Sequence, residues 1–163
     1  MTESQTGPLS SRLGLSKMPM EEPQDLLVLD SRLAELSRAQ SWAETLAERI
    51  GLNENTQYAI RLCLEEAIAN VILHGYKNES GHPVVIRRWQ SSEMLFFAIE
   101  DEAPHFAPDD IPPSTGTPQP PSLESLTPGG NGIRLLRHFA GSLIYEQFRE
   151  GNRLTLGFSI QHS

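Results

Sequence analysis

The sequence predicts an α+β fold: a two-layer sandwich with a mixed, mostly antiparallel sheet and its helices on one face. Two long segments with helical apolar spacing follow each other early in the chain. Later, two pairs of apolar strand-like runs, each pair joined by a short polar turn, flank a third helical segment. Helices alternating with hairpins that close locally give antiparallel pairs with a helical layer on top.

Taken in order, residues 1–23 are polar, with glycine, prolines and several serines. They read as a flexible N-terminal extension, in which Leu13, Leu15, Met18 and Met20 are the apolar residues. Residues 24–163 then form one domain. Residues 26–29 are a short apolar run and read as the first strand. Residues 31–50 carry a helical pattern through Leu33, Leu36, Trp42, Leu46 and Ile50, and Gly51 closes it. A second helix begins at about residue 54. Residues 84–89 and 94–100 make a hairpin around Gln90-Ser91-Ser92-Glu93, and residues 143–148 and 153–160 make another across Glu150-Gly151-Asn152. Ile133, Leu135, Leu136 and Phe139 fit an amphipathic helix between the two hairpins. Residues 106–128 hold prolines at 108, 112, 113, 118, 120, 121 and 128, where no helix or central strand persists. So long an irregular stretch is either functional or a loose insertion.

A length of 163 residues suits a single domain with one substantial core. With 21 acidic against 13 basic residues the formal charge is -8, which argues against direct nucleic-acid binding or an anionic membrane surface and favours a protein partner. Cys63 is the sole cysteine, so an intrachain disulfide or cysteine metal cluster is excluded, as suits a reducing cytoplasm; beside the apolar helix stripe it reads as a packed thiol. No apolar run approaches the ~20 residues of a membrane helix, and no secretion signal opens the chain. The expected location is cytoplasmic.

The chemistry concentrates in three places. On the second helix, Ile60, Leu64, Ala67, Ile68 and Val71 share one apolar stripe, Glu65 falls on the solvated side, and Glu66, Asn70 and His74 line the flank between them. Asn70 offers a neutral oxygen to a magnesium ion that keeps waters and shares phosphate oxygens, and Glu66 offers a base for a hydroxyl proton. The same spacing also decorates ordinary helix surfaces. The apolar run 96–99 ends in Glu100 and Asp101, so Asp101 sits at a sheet rim, where it either accepts from an exocyclic amine or caps the turn Glu102-Ala103-Pro104. Gly129, Gly130 and Gly132 precede the third helix, and such a turn exposes backbone amides able to bind phosphate, or is simply a flexible loop.

These motifs stand in a telling order. Glu-Ala-Ile-Ala-Asn with His-Gly-Tyr comes first, then Asp-Glu-Ala-Pro-His-Phe-Ala-Pro, then Gly-Gly-Asn-Gly-Ile-Arg-Leu-Leu, and last Tyr145-Glu146 with Gly151-Asn152-Arg153-Leu154-Thr155-Leu156. In that order the chain resembles the anti-sigma-factor serine/threonine kinases, stand-alone relatives of the Bergerat or GHKL ATP-binding domains of histidine kinases. The resemblance spans residues 25–160.

The resemblance implies that Asn70 serves magnesium and the triphosphate, that Glu66 activates a substrate serine, and that Asp101 takes the adenine amine. Gly130 and Gly132 match the phosphate loop, with His74, Ala103 and Ile133 as further neighbours of the nucleotide, and residues 106–128 match the ATP lid. Ala103 stands where many relatives of the wider superfamily have glycine, and Pro128 replaces a first glycine of the loop. The implied activity is Mg-ATP-dependent phosphorylation of a STAS-type anti-anti-sigma protein by a homodimer that also sequesters a sigma factor. A non-catalytic ATP-binding module that sequesters a partner is the alternative.

Overall fold

The computed structural model describes residues 24–104 and 132–160; the expected extension 1–23, the proline-rich segment 106–128 and Gly130 lie outside them. Strand β1, Asp25–Asp30, is followed by a 3-10 turn at Leu33–Glu35 and helix α1, Leu36–Ile50. The helix therefore starts later than expected. Ser31 is buried, its hydroxyl donating to the Glu79 carbonyl at 2.6 Å and accepting from the His82 amide at 3.1 Å, which holds it in a loop instead of a helical turn. Gly51 ends α1 at φ 83°, a left-handed position that costs glycine nothing, and its N–H reaches the Ala47 carbonyl at 2.9 Å.

Helix α2, Glu54–Asn70, begins at Asn53, whose side chain accepts from the Thr56 amide at 2.8 Å. It runs into one π turn, Val71–Gly75, marked by the Tyr76 N–H donating to the Val71 carbonyl at 2.8 Å. Strands β2, Pro83–Gln90, and β3, Met94–Asp101, form the first hairpin, and helix α3, Gly132–Phe139, precedes the second, β4 at Ser142–Phe148 with β5 at Gly151–Ser159.

The sheet order is β1-β2-β3-β5-β4, and every pairing among the described residues is antiparallel, so the mixed character expected from the sequence does not occur among them. The second turn is also shorter than expected. Arg149, at φ 57°, makes it with Glu150, while Gly151 and Asn152 already pair with Phe148 and Gln147. Gly151 is needed for proximity: a Cβ there would lie 1.8 Å from the Asp101 carbonyl oxygen.

Strand alternation decides which side chains meet the helices. Val84 and Ile86, then Leu95, Phe97 and Ile99, then Leu156 and Phe158, face one side and join Ala43, Leu46, Ile60, Leu64, Ile68 and Leu136 in a single core. Trp42 of α1 meets Phe97 edge-on at 6.0 Å between ring centres. The sheet's other face carries a small cluster, Trp89, Phe96 and Ala98, beside the Arg87–Glu100 pair at 3.0 Å. At one end of the inner face, buried Arg88 is clamped by Asp25, with Nε at 2.7 Å, and Arg49 of α1 joins the same oxygen at 2.9 Å. Burial raises the Asp25 pKa, but the hydrogen bonds from Arg88 and Arg49 outweigh it and hold the carboxyl below its usual range. No helix among the described residues is long and apolar enough to cross a membrane.

Candidate functional site

The last inner position of β3 is Asp101, two residues beyond Ile99 and four beyond Phe97, so the pleat that buries those side chains turns its carboxylate toward the helices as well. It is 8% exposed. Its Oδ1 accepts from the Ala103 amide at 2.9 Å, which is the turn cap, and from Asn152 Nδ2 at 2.9 Å across the β3–β5 pair.

Asp101 and Asn70 line one narrow cavity of about 40 Å³, with Tyr145 of β4 as its third polar wall. Ala67 and Val71, with Ile99, Leu136 and Leu154 from the sheet and α3, make it apolar elsewhere. The volume suits ordered water, so a purine must widen it. Burial, and then the Asp101 charge, push the Tyr145 hydroxyl well above its usual range and keep it protonated. A wider concavity, about 460 Å³, lies among Val85, Arg87, Glu100 and the Phe148–Gly151 turn. It shares Asp101 with the narrow cavity but not Asn70, and Arg87 and Glu100 on its wall already pair with each other. The convergence of unlike polar groups favours the narrow one.

Glu66 is half-buried one turn before Asn70 and does not line the cavity. Burial, reinforced by the Glu65 charge, raises its pKa and so makes its carboxylate a stronger base. Behind it, Cys63 is fully buried and its thiol is pushed up to about 12, first by burial and then by Glu66. The helical stripe Glu66, Asn70 and His74 does not continue to its third member. The π turn changes the angular step between residues 70 and 74, and His74 is exposed and off the cavity.

The same π turn delivers Gly75 to the cavity wall and against Ala103, which is 1% exposed. Tyr76 fastens the arrangement: its hydroxyl accepts from the Glu102 amide at 2.6 Å and donates to the Pro83 carbonyl at 2.8 Å. Burial pushes its pKa up to about 12. Gly132 is the first residue of α3, and Ile133 lies in that helix.

For the expected ligands, the donor set fits one magnesium ion shared with phosphates: Asn70 supplies a single neutral oxygen, and among the described residues no three His, Cys, Asp or Glu side chains gather as a metal cage of their own. Asn70, Asp101 and Ala103 thus come together, while Glu66 stands one turn away and His74 is separate. Asn152, Tyr145 and Gly75 stand in the ordered sequence motifs, but the sequence reading gave none of them a place at the site. For Asn152 a signal existed, since counting back by twos from Phe158 through Leu156 and Leu154 puts it on the inner face.

The chain has counterparts among known proteins. The family described as histidine kinase-like ATPase domain matches residues 29–158. The chain is 30% identical over 139 residues to the serine/threonine-protein kinase BtrW of Bordetella bronchiseptica, covering 84% of this chain and 94% of that protein. Among solved structures it is similar to the blue-light activated histidine kinase of Erythrobacter litoralis EL346, with a TM-score of 0.50 at 17% identity, across 78% of this chain and 41% of that one. The histidine kinase domain of the same protein matches across 60% of its length, at 19% identity and a TM-score of 0.47. With the family match across residues 29–158 and the 30% identity to a serine/threonine-protein kinase over most of both chains, the chain belongs to the histidine kinase-like ATPase domain family.

Proposed function

We propose that the chain is an ATP-dependent protein serine/threonine kinase that phosphorylates a serine of a STAS-type anti-anti-sigma protein and sequesters a sigma factor. The observation that carries the reading is the convergence of Asn70, from the end of α2, and Asp101, from the end of β3, on one cavity. ATP would supply the phosphoryl group, and phosphoryl transfer asks mainly for positioning and charge neutralisation. Asp101 accepts from the exocyclic amine of the base, and Asn70 gives its carboxamide oxygen to magnesium. Glu66, whose pKa burial raises, takes the serine hydroxyl proton. Gly132, the first residue of α3, and Gly130, two residues earlier in the sequence, offer amides to the phosphates, with Ile133 and His74 as outer neighbours. The name of the similar kinase supports the transfer chemistry. The STAS substrate, the sigma factor, the homodimer and the cytoplasmic location extend the reading from the ordered motifs.

The narrowness of the cavity, about 40 Å³, favours a second reading: a module that sequesters its partner without transferring phosphate. Calorimetric titration of ATP with and without magnesium tests the common ground. Micromolar binding that needs magnesium and is lost in Asp101→Ala supports the nucleotide site, and absence of binding removes it.

A further inference from the structure

We propose that Asn152 is a positioning residue that sets base selectivity at this site by holding the Asp101 carboxylate, an inference that rests on the reading of the cavity as an ATP site. Asn152 is 1% exposed and pairs with Asp101 across β3 and β5. Its Nδ2 donates to Asp101 Oδ1 at 2.9 Å, to the Ala103 carbonyl at 3.2 Å and to the Pro104 carbonyl at 3.4 Å. Three acceptors around one nitrogen fix which end of the carboxamide faces Asp101, because its oxygen turned that way would meet a carboxylate and two carbonyls.

The consequence falls on Asp101. Rotation of a carboxylate about its last bond is soft, and two donors on one oxygen, Asn152 Nδ2 and the Ala103 amide, remove that freedom. A carboxylate held in this way can accept a hydrogen bond and has none to give. A base edge carrying an amine is then accepted, and one carrying a carbonyl is repelled. The same Asn152 amide donates to the Ala103 and Pro104 carbonyls, so the carboxylate and residues 103–104 are held by one side chain. A hydroxyl at position 152 would have one proton for three acceptors, and a carboxylate there would repel all of them.

The test compares ATP with inosine triphosphate, which has a carbonyl at C6 in place of the amine, on the full chain with Asn152, Asn152→Ala or Asn152→Asp. Among the described residues, Tyr145 of β4 and Tyr76 ahead of β2 lie near enough to Asp101 to feel its charge, and burial holds both tyrosines protonated. A carboxylate at 152 would therefore form with Asp101 a pair about 3 Å apart that shares a proton as the pH falls. The expected results are an ATP preference reduced about tenfold in Asn152→Ala, the equivalent of one charge-assisted hydrogen bond, and ATP binding by Asn152→Asp that is poor at pH 8 and recovers toward the parent chain at pH 5.5. A purely structural role would lower affinity for both nucleotides alike without acid recovery. Unchanged selectivity in a folded Asn152→Ala, or no relative recovery of Asn152→Asp in acid, overturns the proposal while leaving the ATP site standing. If the parent chain binds neither nucleotide, both fall.

Discussion

The methyl group of Ala103 occupies the space that a side chain at residue 75 would need. A Cβ built on Gly75 would lie 3.0 Å from the Ala103 Cβ, a contact tighter than most carbon pairs adopt, so one of the two would have to shift by a few tenths of an ångström. The two positions are complementary: glycine in the His-Gly-Tyr turn makes room for the alanine at 103. The Ala103 methyl packs into the turn and does not line the narrow cavity.

Gly75→Ala should accordingly destabilise the fold by about 1–3 kcal/mol through overpacking. Ala103→Gly alone should cost about 1 kcal/mol by losing a buried methyl group. The double variant should be more stable than Gly75→Ala alone. Urea denaturation of the four proteins checks this, and additive effects would mean that the two sites do not touch.

Glu66 has a raised pKa, so its ionisation opposes folding. Stability from this residue is fully present below the unfolded carboxylate pKa and is lost as pH rises through the folded value. Glu66→Gln should therefore melt higher than the parent chain at pH 7.5, with the difference fading toward pH 4. Thermal melts across that range decide it, and an equal or lower melting temperature at pH 7.5 would contradict the cause given.

Asp25 behaves oppositely, since Arg88 and Arg49 lower its pKa. Its contribution is present above the unfolded value and is lost as pH falls through the folded one. Asp25→Asn leaves Arg88 buried without its anion, which should cost toward the lower end of about 3–5 kcal/mol, because Gln90 Oε1 still accepts from Arg88 at 2.7 Å. Denaturation at pH 7 and pH 3 should show a large difference at the first and a small one at the second.

Asn70 and Glu66 should separate in function. Asn70→Ala should weaken magnesium-dependent ATP binding by about tenfold or more, the loss of one oxygen ligand and its charge-assisted contacts. Glu66→Ala should leave that binding within about threefold and act on transfer instead. Titrations of both variants with and without magnesium distinguish the roles, and equal losses would merge them.

The fold was legible because its elements carry strong local signals: the stripe from Ile60 to Ile68, the cap at Gly51 and the strand alternation through Phe97 and Ile99. Boundaries slipped where distant contacts decide. Ser31 leaves its helix because Glu79 and His82 bind it, and Gly151 belongs to a strand because it must pass the Asp101 carbonyl. At the site, Asn70 and Asp101 could be found from helix spacing and strand parity. His74 fell away because a single π turn, which no residue pattern announced, changed the step after Asn70. Asn152 and Tyr145 reach Asp101 only through strand pairing between segments far apart in sequence.

The central claim is phosphoryl transfer assisted by Glu66. It is tested most directly by incubating the full chain with Mg-ATP and a STAS-domain protein and following the partner's intact mass, with Glu66→Ala alongside. A gain of one phosphate on a serine of that partner, slowed about 10²–10⁴-fold in Glu66→Ala as expected for loss of a general base, is the predicted result. An unmodified partner held in a stable complex with the ATP-bound chain, or transfer at the same rate in Glu66→Ala, would contradict it.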